Sequence, residues 1–144
     1  MITSTNVSLS PQWDAGVLGP DGRPSLLIEI KARRGLDETW AKTWMTFVAS
    51  RALGAHAVML VTPEHLFYWN EPSVSRPSPS TAIDAKPVLS PYLSAIGGEG
   101  RIEPMVFVNV VVSWLRDVAD GEHSVPQLPD LEGRLRSGSR LLVS

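Results

Sequence analysis

Two carboxylates and one amine near the start of the chain can be brought together by counting alone. Asp21-Gly22, inside GPDGRP (19–24), is a strong two-residue hairpin signal, because both central positions of such a turn take φ > 0. With that turn, Pro20 faces Arg23 and Asp14 falls directly opposite Glu29, with Cβ atoms about 4.5–5.5 Å apart. Lys31, two residues beyond Glu29, lies on the same face of its strand. Like charges facing each other cost stability unless something neutralises them. A divalent cation bridging Asp14 and Glu29 is the natural remedy, and hard oxygen ligands suit Mg²⁺ or Mn²⁺. An amine beside such a metal can orient or deprotonate an attacking water, or stabilise charge on a phosphoryl group. The plainer alternative is a solvated polar face on which Glu29 and Lys31 are merely exposed.

The elements that must position these groups are legible in the surrounding pattern. Residues 12–18 (QWDAGVL) and 25–32 (SLLIEIKA) read as the two strands of an antiparallel hairpin. Asp37 is a helix N-cap and Glu38 suits its first turn, so a helix is expected over 36–53. Its apolar positions at helical spacing are Leu36, Trp40, Trp44, Phe47, Val48 and Ala52, and Gly54 is its stop. Residues 56–62 (HAVMLVT) read as a buried strand ended by Pro63, and 65–69 (HLFYW) as a further strand. A helix opened by Pro87 is expected over 87–96, with a turn at GGEG (97–100). Residues 104–119 read as a helix with Phe107, Val111, Trp114, Leu115 and Val118 on one face. Their β-branched content leaves a strand over 105–112 as the alternative. The tail, 129–144, is expected to be partly mobile.

On Asp14, the Glu29-Ile30-Lys31 triplet, and the helix and strand that follow, the sequence resembles the PD-(D/E)xK nuclease superfamily, the restriction-endonuclease-like fold. The stretch DAGVLGPDGRPSLLIEIKARR is similar to the nuclease hairpin of type I restriction subunits. The resemblance spans roughly residues 12–69. It implies an α/β fold with a central mixed β-sheet flanked by helices. It also implies Asp14 and Glu29 as metal ligands, the Ile30 carbonyl as a third, and Lys31 as the catalytic lysine. The activity implied is metal-dependent phosphodiester hydrolysis of nucleic acid, with DNA the expected substrate. The literal Pro20-Asp21 lies in the turn, away from the metal. The chain departs from the superfamily in two ways. Only 13 residues precede Asp14, room for a strand over 3–9 but not for the usual first helix, which is therefore truncated or replaced. That helix can come from residues 104–119 or from a partner subunit, a second copy of the chain included. The Gln-x3-Tyr of several relatives is also absent, with Thr43 and Phe47 at comparable spacing. The alternative function is a non-catalytic module of the same fold that binds nucleic acid or a protein partner.

Composition limits the remaining choices. The 144 residues carry 13 Lys+Arg against 15 Asp+Glu, a net charge of −2, with 43% hydrophobic residues. That suits one domain rather than two and is too apolar for a disordered tail. The expected layout is a core over 3–69, a loop-rich stretch over 70–86, a helical part over 87–136 and a tail over 137–144. The absence of Cys removes disulfides and Cys-based zinc sites. The longest apolar run, Met105 to Leu115, is too short to span a membrane, and MITSTNVSLS has neither a basic nor an apolar signal region. A cytoplasmic protein without membrane contact is expected. At net −2 a polyanion must bind a local patch, for which Arg33, Arg34 and Lys42 are the candidates. Trp40 and Trp44, one turn apart, read as core, and so does Trp13, on the strand face opposite Asp14. His56, His65 and His123 have no partner at metal-ligand spacing.

Overall fold

The computed structural model describes residues 13–52, 54–96, 102–137 and 140–143. Six strands form one mixed sheet: β1 (Ala15–Leu18), β2 (Pro24–Ile30), β3 (Ala57–Val61), β4 (His65–Asn70), β5 (Thr81–Asp84) and β6 (Leu141–Val143). Their order across the sheet is β5-β4-β3-β2-β1-β6. All neighbours are antiparallel except β2 and β3, which run parallel and are joined by the crossover helix α1 (Glu38–Val48). Three further helices follow: α2 (Lys86–Ala95), α3 (Pro104–Ala119) and α4 (Pro129–Arg136). The protein is thus α/β, with a mixed sheet flanked by helices. Among the described residues no helix is long and apolar enough to cross a membrane.

Both sheet faces are covered, which explains the near-continuous apolar runs in β2 and β3. On one face Leu27, Val58, Leu60, Phe67 and Trp69 pack against Ala41 and Met45 of α1. On the other, Leu26, Ile28, Ile30, Met59 and Val61 meet Leu89 of α2, Phe107, Val111 and Leu115 of α3, and Leu131 and Leu135 of α4. Residues 104–119 are therefore the helix on the face opposite α1, and the strand alternative for 105–112 is excluded. In an interior of this kind Glu29 stands out as the one half-buried position between Ser25 and Ile30.

The hairpin turn is not the two-residue turn read from the sequence. Gly19 N–H donates to the Arg23 carbonyl at 2.8 Å and Gly22 N–H to the Gly19 carbonyl at 3.1 Å, enclosing a three-residue loop, Pro20 to Gly22. Only Gly22, at φ +82°, adopts the left-handed conformation there, so Asp21 is spared the strain a two-residue turn would impose. The longer loop would slip the register by one residue. A bulge restores it: Leu18 pairs with Pro24 but Val17 pairs with Leu26, leaving Ser25 as the extra residue. Beyond it Ala15 pairs with Ile28, the register the shorter turn would have produced.

Other expectations are also corrected. The inward stripe of α1 is Ala41 and Met45, while Phe47 is 74% exposed and Trp40 and Trp44 only flank the core. Trp13 is buried, but on the α1 face, the same side as Glu29, because a bend at Asp14 breaks the strand alternation before β1 begins. The stretch 70–86 contains an edge strand, β5, paired to β4. Within the described tail residues, α4 and β6 form, and Leu141 to Val143 of β6 pair with Val17 to Ala15. The expected strand over 3–9 and the turn at 97–100 lie outside the described residues.

Candidate metal centre

The strand ends assemble the candidate site. Asp14 sits one residue before β1, its N–H bonded to the Ile28 carbonyl at 3.0 Å. Its carboxylate turns onto β2, where Oδ2 accepts the Ile30 N–H at 2.8 Å. The side chain thus takes the place of the main-chain acceptor that a continuing β1 would have offered. Lys31 N–H bonds in the opposite direction, to the Val61 carbonyl of β3 at 2.9 Å. Because the N–H and C=O of one strand residue point the same way, the Ile30 carbonyl opens on the Asp14 side.

Glu29 projects on the α1 face with its side chain 14% exposed, and Lys31 Nζ lies 3.2 Å from Glu29 Oε2. Burial, and then the hydrogen bond to and charge of Asp14, push the Glu29 carboxyl up to about 7 from an ordinary 4.5, with Lys31 pulling the other way. One lysine, 41% exposed, does not offset two facing carboxylates. Near neutrality the Glu29 carboxyl is therefore partly protonated. Asp14, Glu29 and Lys31 are thereby brought together.

The donor set fits a hard cation. Asp14, Glu29 and the Ile30 carbonyl would supply the protein oxygens, and a Mg²⁺ ion there would take its other ligands from water or phosphate. Among the described residues no three His, Cys, Asp or Glu side chains converge to hold a metal.

The basic candidates are placed less tightly. Arg33 and Arg34 are exposed just beyond β2, and Lys42 is exposed on α1. Among the described residues no ion pair joins any of the three to Asp14 or Glu29. Arg34 lines an open groove of about 1230 Å³ that also receives Asp37, Glu38, Glu64, Asp84 and Lys86. Four acids against two bases make that groove a poor track for a polyanion. Arg33 lies outside its lining.

Two polar arrangements escaped the sequence reading. Tyr68 of β4 donates its hydroxyl to Asp130 of α4, whose Oδ2 also takes the Arg134 Nε at 2.8 Å, and Arg134 Nη1 reaches Ser25 Oγ at 3.1 Å. The Asp130–Arg134 spacing of four residues was a visible helix pair, but Tyr68 and Ser25 come from distant strands. His56 sits between Asp21 and Glu71, each 3.5 Å from a ring nitrogen, at the opposite end of β3 from the candidate site. No family model, no curated protein and no solved structure matches the chain.

Proposed function

We propose that the protein is a metal-dependent phosphodiesterase of the PD-(D/E)xK type, with the restriction-endonuclease-like fold, acting on nucleic acid and in the first instance DNA. The observation that carries this reading is the surplus of negative charge where Asp14 and Glu29 meet at the end of a buried sheet, with the Lys31 ammonium 3.2 Å from Glu29. The α1 crossover between parallel β2 and β3, and α3 on the opposite face, supply the layers such a site needs.

Asp14, Glu29 and the Ile30 carbonyl would hold a Mg²⁺ or Mn²⁺ ion, which when bound supplies charge stabilisation at phosphorus and a more acidic water. The chain's own residues do the positioning. The Ile30 N–H fixes one Asp14 oxygen, and the Asp14 side chain also hydrogen-bonds Glu29. Glu29 yields its proton near neutral pH and becomes an acceptor. Lys31, on the same face, orients the attacking water and balances charge on the non-bridging phosphate oxygens. Arg33, just past the strand, meets the flanking phosphate.

The test is cleavage of plasmid and oligonucleotide DNA with Mg²⁺ or Mn²⁺ by wild type, Asp14→Asn and Lys31→Ala. Each substitution is expected to lower the rate by about 10²- to 10³-fold. No cleavage by wild type, or equal cleavage by all three, ends the proposal. One observation favours a second reading, a non-catalytic module that binds a protein partner: the acidic groove beside Arg34 suits a basic surface better than a nucleic acid. That module would bind its partner unchanged after Lys31→Ala.

A further inference from the structure

β5 is the last strand on its side of the sheet. It pairs with β4, and among the described residues no strand pairs with its other edge. The backbone groups that face this open edge follow from the pairing. Ala85 N–H, just past β5, donates to the Glu64 carbonyl at 3.0 Å. The same antiparallel register sets Asp84 opposite His65, Ile83 opposite Leu66 and Ala82 opposite Phe67. Backbone groups alternate along a strand, so Ile83 turns its N–H and C=O to β4, while Ala82 and Asp84 turn theirs outward.

Side chains alternate as well. Ala82 and Asp84 are exposed and share the α1 face, because Phe67, opposite Ala82, belongs to the core packed on α1. Ile83 lies on the other face, against the core beneath α2, α3 and α4. All three residues line the groove of about 1230 Å³, so the open edge is one of its walls. The two sides of the groove differ in chemistry. The α1 side holds Asp84, Asp37 and Glu38 at the start of α1, and Glu64, whose carboxylate accepts the Gly35 N–H at 2.6 Å. The α2 side holds Ile83 and Leu93, both partly buried. Arg34 and Lys86 are the only lysines or arginines in the lining, two against four carboxylates.

We propose that the open edge of β5 takes up an extended peptide of a partner protein as an added strand, and that this peptide alternates basic with apolar residues. The outward N–H and C=O groups of Ala82 and Asp84 pair with its backbone. Every second side chain then falls among the carboxylates, and the others fall against Ile83 and Leu93. A second copy of this chain is the poorer occupant, since β5 paired with β5 sets two acidic walls against each other. The proposal deepens the partner-binding reading by naming the partner's chemistry and its mode of attachment. Asp14, Glu29 and Lys31 do not line the groove, so it stands whether or not the metal centre is catalytic.

The experiment follows the fluorescence anisotropy of a fluorescein-labelled peptide of about eight residues, alternating Lys with Val, against the full chain. A second peptide of the same sequence carries N-methyl groups on alternate backbone nitrogens, which keeps its charge and removes the donors to the Ala82 and Asp84 carbonyls. It should bind about ten- to thirty-fold more weakly, the worth of two hydrogen bonds. Ala82→Pro removes an outward N–H and no bond to β4, a position where an edge strand accepts proline, and should weaken binding about three- to ten-fold. Glu38→Gln/Asp84→Asn, in which Asn keeps an acceptor for the Lys86 N–H, should weaken it about ten-fold at low salt and less at high salt. Lys31→Ala should leave it unchanged. Equal binding of the plain and N-methylated peptides overturns strand addition, even if Ala82→Pro fails to fold, and leaves a partner held by charge alone. Binding indifferent to Glu38→Gln/Asp84→Asn overturns the basic pattern. No binding of the alternating peptide removes the proposal and the partner-binding reading together, with DNA cleavage still the test of the nuclease reading.

Discussion

Two polar clusters are built partly on the same strand, and they differ in whether their charges are matched. At the start of β2, Ser25 meets Arg134, which also holds Asp130, which in turn accepts from Tyr68. One carboxylate faces one guanidinium, and hydroxyls take up further donors and acceptors. At the end of β2, Asp14 and Glu29 face each other with one half-exposed lysine and one backbone N–H between them. The matched cluster bolts α4 to the sheet. The unmatched one keeps a carboxyl poised near neutral pH. Charge balance, rather than burial or the number of polar groups, separates the two clusters.

The largest effect on stability should come from breaking the matched cluster. Arg134→Ala leaves the Asp130 carboxylate and the Tyr68 hydroxyl without their cation, and is expected to cost about 2–3 kcal/mol in urea unfolding. Lys31→Ala, at the unmatched cluster, should cost less, because the half-exposed ammonium is partly screened by water. If the two substitutions cost the same, charge matching does not distinguish the clusters.

A smaller effect should come from supplying the missing charge. Mg²⁺ at ten times its dissociation constant is expected to stabilise wild type by about 1.4 kcal/mol, read as a rise in Tm. Asp14→Asn should abolish that gain and Arg134→Ala should leave it intact. A Tm rise that survives Asp14→Asn would place the ion elsewhere.

What the sequence could reveal depended on how local the cause was. The approach of Asp14 to Glu29 followed from strand alternation and a turn signal, both short-range. The turn signal points to two residues where the loop has three, yet the register is the same because the bulge at Ser25 absorbs the extra loop residue. A bulge leaves no mark in a hydrophobic pattern. Helical spacing puts Phe47 among the apolar positions of α1, but the face α1 turns inward is centred on Ala41 and Met45, and Phe47 lies exposed. Tyr68–Arg134, Gly35–Glu64 and the pairing of β6 with β1 join positions far apart in the chain, so local pattern could not show them. Partners of that kind decide which polar residues are satisfied, and so which are left to act.

The smallest effect is also the most direct reading of the unmatched pair. The Glu29 carboxyl is held up to about 7 in the folded chain against an ordinary 4.5. Below 4.5 both folded and unfolded chains carry the proton. Between 4.5 and about 7 the folded chain keeps a proton the unfolded chain has released, so the stability this group contributes falls as pH rises. Above about 7 that contribution is gone, a change of about 1 kcal/mol once solvent screening is allowed for. Glu29→Gln places an uncharged amide in the same position and titrates nothing. It should therefore match wild type at pH about 5 and exceed it by about 1 kcal/mol at pH about 8 in metal-free urea unfolding. Arg134→Ala, weaker at every pH, should keep the wild-type slope across that window. Parallel curves for wild type and Glu29→Gln would mean that Asp14 and Glu29 do not share a proton, and the end of β2 would then be as well balanced as its beginning.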